Sequence, residues 1–531
     1  MWYRIISRVK NIIGDFMETK TKKFNEHKIR NVIVAFLFLC SFFSINILFS
    51  SINKNAHAQV LETTEVDTIT ITLSDDQTEM IVSGHGQLTT AFPWKTYKGK
   101  LKKISFVATS NEQMILAPGD CLNMFRDCTN LVEINLAGLD TTNVTRMHSM
   151  FYNCQKLQNL VFGDKFITNN VTSMRAMFYQ CYVLKTIDLA KFNTEKVKDF
   201  SFMFASGTSR KYMAFETLDL TSFNTNAVTK MESMFQNCSS LTEIKLGDKF
   251  NTSNVTDMSW MFNYCFELEE IDFNKFNTSK VTDMSYMFCN CYKLDIDVSS
   301  FDTSKVTDMS VMFAAVKLKE LDLSNFDFSN VKTMQCMFSS STELEKIIFP
   351  ENMTTPNLEN MAEMFEFCYE LKSIDLSKFN TSKVTDMNWL FACCYSLTEI
   401  DLKNFDTSNV TNMERMFYYC KSIEELDLSN FDTSNVTNMS GMFIDALELK
   451  SIKLGEFDTS NVTNMQGMFS RCNSLKEIDI SSFETSEVTN MNAMFNGCSS
   501  LEEIKFGDKF NTSNVTDMSW MFWDCYNLEE I

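Results

Sequence analysis

Apolar and polar residues follow one pattern along this chain, and the stretch "LTEIDLKNFDTSNVTNMERMFYYC", Leu397–Cys420, shows it whole. In L-x-x-I-D-L, Ile400 and Leu402 flank Asp401 with period two, which predicts a short strand with its apolar face inward. Phe405 turns back to the core, and "DTSN" predicts a turn held by short polar side chains that bond their own backbone. Val410 re-enters the core. Met413, Met416, Phe417 and Cys420 then fall at i, i+3, i+4 and i+7, the spacing of one helical face. Thr411 with Glu414, like Thr229 with Glu232, has the form of a helix-capping box. The predicted unit is strand, turn, short helical or 3₁₀ turn, and return.

The unit recurs. Aligned on its Met-Phe pair, it has sixteen anchors from Met124 to Met521, with Leu390 taking the slot once. The fifteen steps average about 26.5 residues (397/15), within the 20–29 range of leucine-rich repeats. A single rung cannot bury its apolar face, but stacked rungs make a continuous core with one column per position. The expected fold is an α/β repeat solenoid, leucine-rich-repeat-like, with one short strand and one short helical turn per rung of about 26 residues, over 121–531. Extra residues near Lys211 and Pro350 read as outer loops. Residues 59–120, with the alternating "TITITLSDDQTEMIVSG" and the strand-like "LKKISFVA", read as a small β-rich N-terminal cap. The chain stops at "LEEI", with Ile531 inside a predicted strand, which leads us to expect that it continues further.

Residues 1–58 read as an address. Lys20, Lys22, Lys23, Lys28 and Arg30 precede an apolar run, Val32–Phe49, and Ala56-His57-Ala58 has the small-x-small form of a signal-peptidase site. Cleavage near Ala58 would place the rest outside the membrane, secreted or at the cell surface. The alternative is an uncleaved signal anchor, since the run is long enough to span a bilayer. Cys40 follows Leu39, where a lipobox wants a small residue, so lipidation is not expected there.

Charge and composition narrow the function. The formal net charge is −20, and an acidic body argues against nucleic-acid binding, which needs a basic face. Apolar residues at 44% and aromatics at 13% indicate a folded chain. Twelve of the 17 cysteines share one slot, where Gly207, Val316, Ser341 and Ala446 also stand. That replacement by small residues favours a buried thiol ladder over a disulfide framework. The Asn-x-Thr and Asn-x-Ser sequons, as at Asn251 and Asn254, coincide with the turn and read as turn chemistry. No catalytic constellation, phosphate loop, metal-ligand spacing or cofactor motif is apparent, and the acidic pairs recur identically where a catalytic dyad would be singular. The chain does not read as an enzyme.

Two sets of positions face outward. Asp272, Asp322, Asp375, Asp401, Asp427 and Asp479 form one strand column, and Glu243, Glu270, Glu320, Glu399, Glu425, Glu477 and Glu503 the column two places before it. They make either a solvated, edge-protecting face or an acidic surface for a basic partner or loosely held cations. The other set is the residue before the second Met: Phe202, Trp260, Tyr286, Val311, Trp389, Gly441 and Trp520. It varies from rung to rung, so its aromatics either pad the lateral core or contact a protein or glycan. The candidate partner-binding residues are therefore Trp260, Tyr286, Trp389, Trp520, Glu399, Asp401, Glu425 and Asp427.

The consensus L-x-x-I-D-L-S-x-F-D-T-S-x-V-T-x-M-x-x-M-F-x-x-C resembles the BspA-like leucine-rich-repeat surface proteins of bacteria, in the subgroup with a 26-residue repeat, from about Leu101 to Ile531. The resemblance implies a solenoid displayed at the cell surface, linked with adhesion to host proteins and cells and with aggregation. It brings no catalytic residues, and the chain shows neither a wall-sorting motif nor a lipobox. The leading expectation is an adhesin-like scaffold binding host extracellular proteins or glycans. A structural surface-layer or spacer protein is the alternative, and the non-catalytic part of a longer enzyme comes third.

Overall fold

The computed structural model describes residues 59–63, 68–207 and 211–529. The basic segment, the apolar run Val32–Phe49 and the Ala58 cleavage site lie outside the described residues, as does Ile531. The chain divides into two units, Met1–Gln59 with Leu73–Asp75, and Val60–Thr72 with Asp76–Ile531. The second carries every rung. Among the described residues no helix is long and apolar enough to cross a membrane.

The described residues wind into about sixteen turns of a parallel β-solenoid. The strand Glu79–Gly84 pairs in parallel with Lys103–Ala108, which pairs with Glu133–Leu136, which pairs with Asn159–Phe162. Further along, parallel pairs form between Thr217–Leu220 and Glu243–Leu246, Glu320–Asp322 and Lys346–Ile348, Glu425–Asp427 and Ser451–Lys453, and Glu477–Ile480 and Glu503–Phe506. Between these pairs the L-x-x-I-x-L ladder opens. The more continuous ladder lies elsewhere, at the residue after Val-Thr, where parallel bridges link Ser173, Asp199, Lys230 and Asp257 and run on rung by rung to Asp517. The spacing explains the contrast. Val144 to Cys154 and Val515 to Cys525 are both ten residues apart, as in every rung between, while Cys291 to Phe301 spans ten and Cys154 to Phe166 twelve. All length variation therefore falls in the segment that contains the strand.

The helical turn is not there. The segment Met147–Cys154 follows a different hydrogen-bond scheme: Met147, Ser149, Phe151 and Asn153 donate their N–H groups to carbonyls of the next rung at 2.7–3.3 Å. The intervening Met150, Tyr152 and Cys154 donate to their own rung three residues back, each at 3.2 Å. In each rung but Val197–Gly207, where only Phe202 does so, two residues take a left-handed φ, as Ser149 (56°) and Asn153 (61°) do, and this breaks the uniform backbone that a helix requires. A non-glycine residue there costs about 1–2 kcal/mol, and the inter-rung bonds offset it. The capping box is corrected with it. The Thr411 N–H and hydroxyl both go to the Thr385 carbonyl, at 2.9 and 3.1 Å. Glu414 bonds Arg415 and Asn438 instead of reaching back.

The core columns are those the pattern indicated, and the structure shows what joins them. Phenylalanines from Phe125 to Phe522 form one stack of rings, neighbouring centroids 5.3–6.2 Å apart and within 18° of parallel. Trp94 lies on Phe125 at 5.5 Å and 18°, fully buried. Its indole N–H donates to the Met124 carbonyl at 2.7 Å, the position a preceding rung's Phe N–H would take. The cysteines among the described residues are free thiols. In the ladder they donate to the carbonyl of the preceding rung's phenylalanine, as Cys420 Sγ does to Phe391 at 3.0 Å, and Ser341 Oγ does the same to Phe313 at 2.8 Å. The turn threonine is buried. Thr381 Oγ1 donates to the Asp406 carbonyl at 2.9 Å and accepts the Asp406 N–H at 2.8 Å. The turn asparagine reaches back one rung, Asn435 Nδ2 to the Ser408 carbonyl at 2.7 Å, and so is held by turn chemistry.

Candidate functional site

Glu399, Asp401, Glu425 and Asp427 come together. They line a groove of about 520 Å³ on the strand side with Lys403 and Lys453, in a region where the ladder is open between rungs. The Asp column is not wholly free for a partner, because each carboxylate closes a turn on its own chain. Asp401 Oδ1 accepts the Lys403 N–H at 3.1 Å and Asp427 Oδ1 that of Ser429 at 3.1 Å; Asp272, Asp322, Asp375 and Asp479 do the same two residues on. The Ser429 hydroxyl and N–H hold the Asp427 carboxyl below the usual carboxylate range, with Lys453 adding to the effect. The Glu column keeps fewer internal contacts: Glu399 and Glu425 are exposed.

The aromatic slot lies on the lateral edge, formed by the M-x-x-M-F-x-x-C segments. Each residue named there adopts a left-handed φ, from 53° at Trp389 to 63° at Gly441. Trp260 and Tyr286 stack face to face at 3.7 Å and 9°. Trp389 contacts Tyr418 at 5.4 Å, with the Arg415 guanidinium 4.8 Å above its ring. Trp520 stands 68% exposed on the last rung. Phe202, Trp260, Tyr286, Val311 and Trp389 are half-buried and Gly441 is buried, so this edge is partly lateral packing and partly surface.

The sequence reading missed two features. A cleft of about 720 Å³ opens in the lateral edge at the rung Val311–Val316, bounded by Tyr264, Tyr286 and Tyr292 on one side and Cys336, Ser339 and Ser340 on the other. The signal was available, since Ala314-Ala315 occupies the positions of Asn263-Tyr264 and Cys289-Asn290. Next to it, Ser339 donates to Glu366 at 3.2 Å and Cys336 Sγ to Glu363 at 3.4 Å. Burial and the Glu363 charge push the Glu366 carboxyl up to about 7, against the Ser339 hydrogen bond.

These features define a repeat scaffold: a parallel β-solenoid whose shared positions are used internally and whose varied positions face out. A family model described as "Mycoplasma protein of unknown function, DUF285" matches residues 119–243, 206–320, 264–374, 315–426, 348–452 and 420–530. The chain belongs to this family, and its repeat is of the BspA-like leucine-rich-repeat type. No curated protein matches it. Among solved structures it is similar to a leucine-rich repeat protein from Bacteroides ovatus, at 16% identity over 88% of this chain and 94% of that one, TM-score 0.35. A leucine-rich repeat protein from Eubacterium ventriosum matches at 16% identity over 86% and 99%, TM-score 0.34. The functional domain of InlJ from Listeria monocytogenes, which includes a cysteine ladder, matches at 14% identity over 80% and 72%, TM-score 0.21.

Proposed function

We propose that this chain is an extracellular, surface-displayed scaffold that binds host or neighbouring-cell macromolecules, adhesin-like, through the positions at which its rungs differ. One observation carries the reading: the shared Phe, Met, Cys and Thr positions are buried and bonded rung to rung, whereas the slot of Trp260, Tyr286, Trp389 and Trp520 changes identity and reaches the surface. Half-buried aromatics provide contact area at low cost in side-chain entropy. The Glu399 and Glu425 column would attract a basic partner and make its binding salt-dependent. Secretion past a cleaved leader near Ala58 belongs to the same reading.

The test is capture of immobilised extracellular-matrix proteins by the purified protein. Trp260→Ala, Trp389→Ala and Trp520→Ala together should weaken capture by about tenfold or more, and Glu399→Gln with Glu425→Gln should flatten its salt dependence. Intact capture by the triple variant would refute the aromatic part, and an unchanged salt dependence the acidic part. A spacer without a ligand is the second reading. It is favoured on the strand side by the Asp carboxylates already engaged in their own turns.

A further inference from the structure

The lateral edge is a ridge of side chains with a break two rungs wide, and the break has the character of a built site. In the slot before the second Met, Trp260 and Tyr286 give way to Val311 and Cys336 before Glu363 and Trp389 restore the bulk. In the slot before the ladder cysteine, Tyr264 and Asn290 give way to Ala315 and Ser340 before Phe367. Two rungs at roughly 4.8 Å each leave a notch about 10 Å across. Its volume of about 720 Å³ lies within the range of small-molecule sites.

We propose that this notch binds a neutral saccharide. The proposal rests on the lateral edge being a recognition surface and names the ligand class for one part of it. Trp260 covers one face of Tyr286 at 3.7 Å, while the next rung offers only Val311, so the other ring face opens into the notch. A pyranose presents a C–H face that packs on such a ring and hydroxyls around its rim. The rim groups are present. Asn290 is oriented by the Tyr292 hydroxyl, which donates to its Oδ1 at 2.9 Å, and by its own bond to Cys289 Sγ at 3.1 Å. An amide keeps further hydrogen-bonding capacity beyond these two bonds, and Ser340 and Thr342 add hydroxyls to the lining.

Charge selects an uncharged ligand. Lys317 Nζ lies 5.3 Å over the Tyr292 ring at one end. At the other, Cys336 and Ser339 are bonded to Glu363 and Glu366. Opposite signs at the two ends leave no single-signed field to draw an ion, whereas both ends can hydrogen-bond a polyol.

The test uses the purified protein with maltotriose, lactose and chitotriose, and a lysine-rich decapeptide as the contrasting probe, by saturation-transfer NMR and calorimetry. At least one saccharide should bind with a Kd in roughly the millimolar range or below, with transfer from aromatic protons. Val311→Trp fills the notch with the residue found at 260 and 389, where the backbone has the same left-handed φ, so the fold is expected to survive. It should raise Kd by about tenfold or more, and Tyr286→Ala should do likewise. The proposal is overturned if no saccharide binds, if Val311→Trp binds as tightly as the parent, or if only the decapeptide binds. Matrix-protein capture that persists without saccharide binding sinks the notch alone. Loss of capture in the triple tryptophan variant, retained in Val311→Trp, leaves the broader reading standing.

Discussion

Thr381→Val is a near-isosteric change that isolates one tie between rungs. The Thr381 hydroxyl makes both hydrogen bonds that a paired strand would make with Asp406, donating to its carbonyl at 2.9 Å and accepting its N–H at 2.8 Å. Thr381 itself is 1% exposed, so water does not readily replace the hydroxyl. Valine keeps the volume and removes both bonds. At about 1 kcal/mol net for each, and more where the orphaned groups stay desolvated, the loss is about 2–3 kcal/mol. In a solenoid this cost falls on local opening, because each rung contacts only its neighbours. The suitable assay is therefore amide exchange of the Asp406 N–H, expected to accelerate by roughly 30- to 150-fold. Thr381→Ser retains the hydroxyl, loses about 1 kcal/mol of apolar burial, and should leave the Asp406 amide protected. The protein contains its own control: Phe328 occupies the threonine slot, and a cleft of about 530 Å³ opens between it and Met353–Thr354. The Thr354 amide should exchange faster than that of Asp406. If Thr381→Val leaves Asp406 exchange within about threefold of the parent, or Thr381→Ser accelerates it more, the hydroxyl ladder is not what ties these rungs.

Four more outcomes are expected. Cys420→Ser keeps a donor for the Phe391 carbonyl, as Ser341 does for Phe313, and should stay within about 1 kcal/mol of the parent in urea unfolding, whereas Cys420→Val should lose about 1–2 kcal/mol. Among the described residues Cys336 and Cys525 are the half-buried thiols and the other cysteines are buried, so native-state alkylation at pH 8, mapped by mass spectrometry, should mark these two first. Trp94→Phe keeps the ring on Phe125 but loses the bond to the Met124 carbonyl, costing about 1 kcal/mol, while Trp94→Ala should cost about 3–5 kcal/mol by leaving a cavity; thermal melts separate the two. Glu366 binds its proton more tightly folded, at about 7, than at its ordinary 4.5, so its charged form weakens the fold progressively as pH rises from 4.5 to 7 and constantly above. Glu366→Gln should therefore be the more stable at pH 8, by on the order of 1 kcal/mol after allowance for solvent screening, and indistinguishable at pH 4.5; equal stability at pH 8 would count against a half-buried carboxylate that is costly to ionise.

Much of this architecture was legible in the chain. The inward column of Val, Met, Met, Phe and Cys follows from the recurrence alone, because only positions that face identical neighbours in a stack are held to one residue type. The small volume of the cysteine slot was readable from Gly207, Val316, Ser341 and Ala446, and "DTSN" carried its turn chemistry openly. The lateral notch was only half legible: the alanine pair at 314 is visible in an alignment of rungs, but that it opens a cavity depends on Tyr286 and Ser340 standing in adjacent rungs.

The sequence by itself determined the rung, its period and its buried columns, since periodicity and side-chain size are properties of the chain. Only the tertiary structure decided the backbone. Apolar residues at i, i+3, i+4 and i+7 suit a helix when hydrogen bonds must be found within the segment. Here the partners lie one rung, about 26 residues, away, as Ser149 to Arg175. Once the neighbouring rung offers carbonyls at that distance, left-handed residues placed four apart, as Ser149 and Asn153, let every second N–H bond across the stack, and the helix gives way to it.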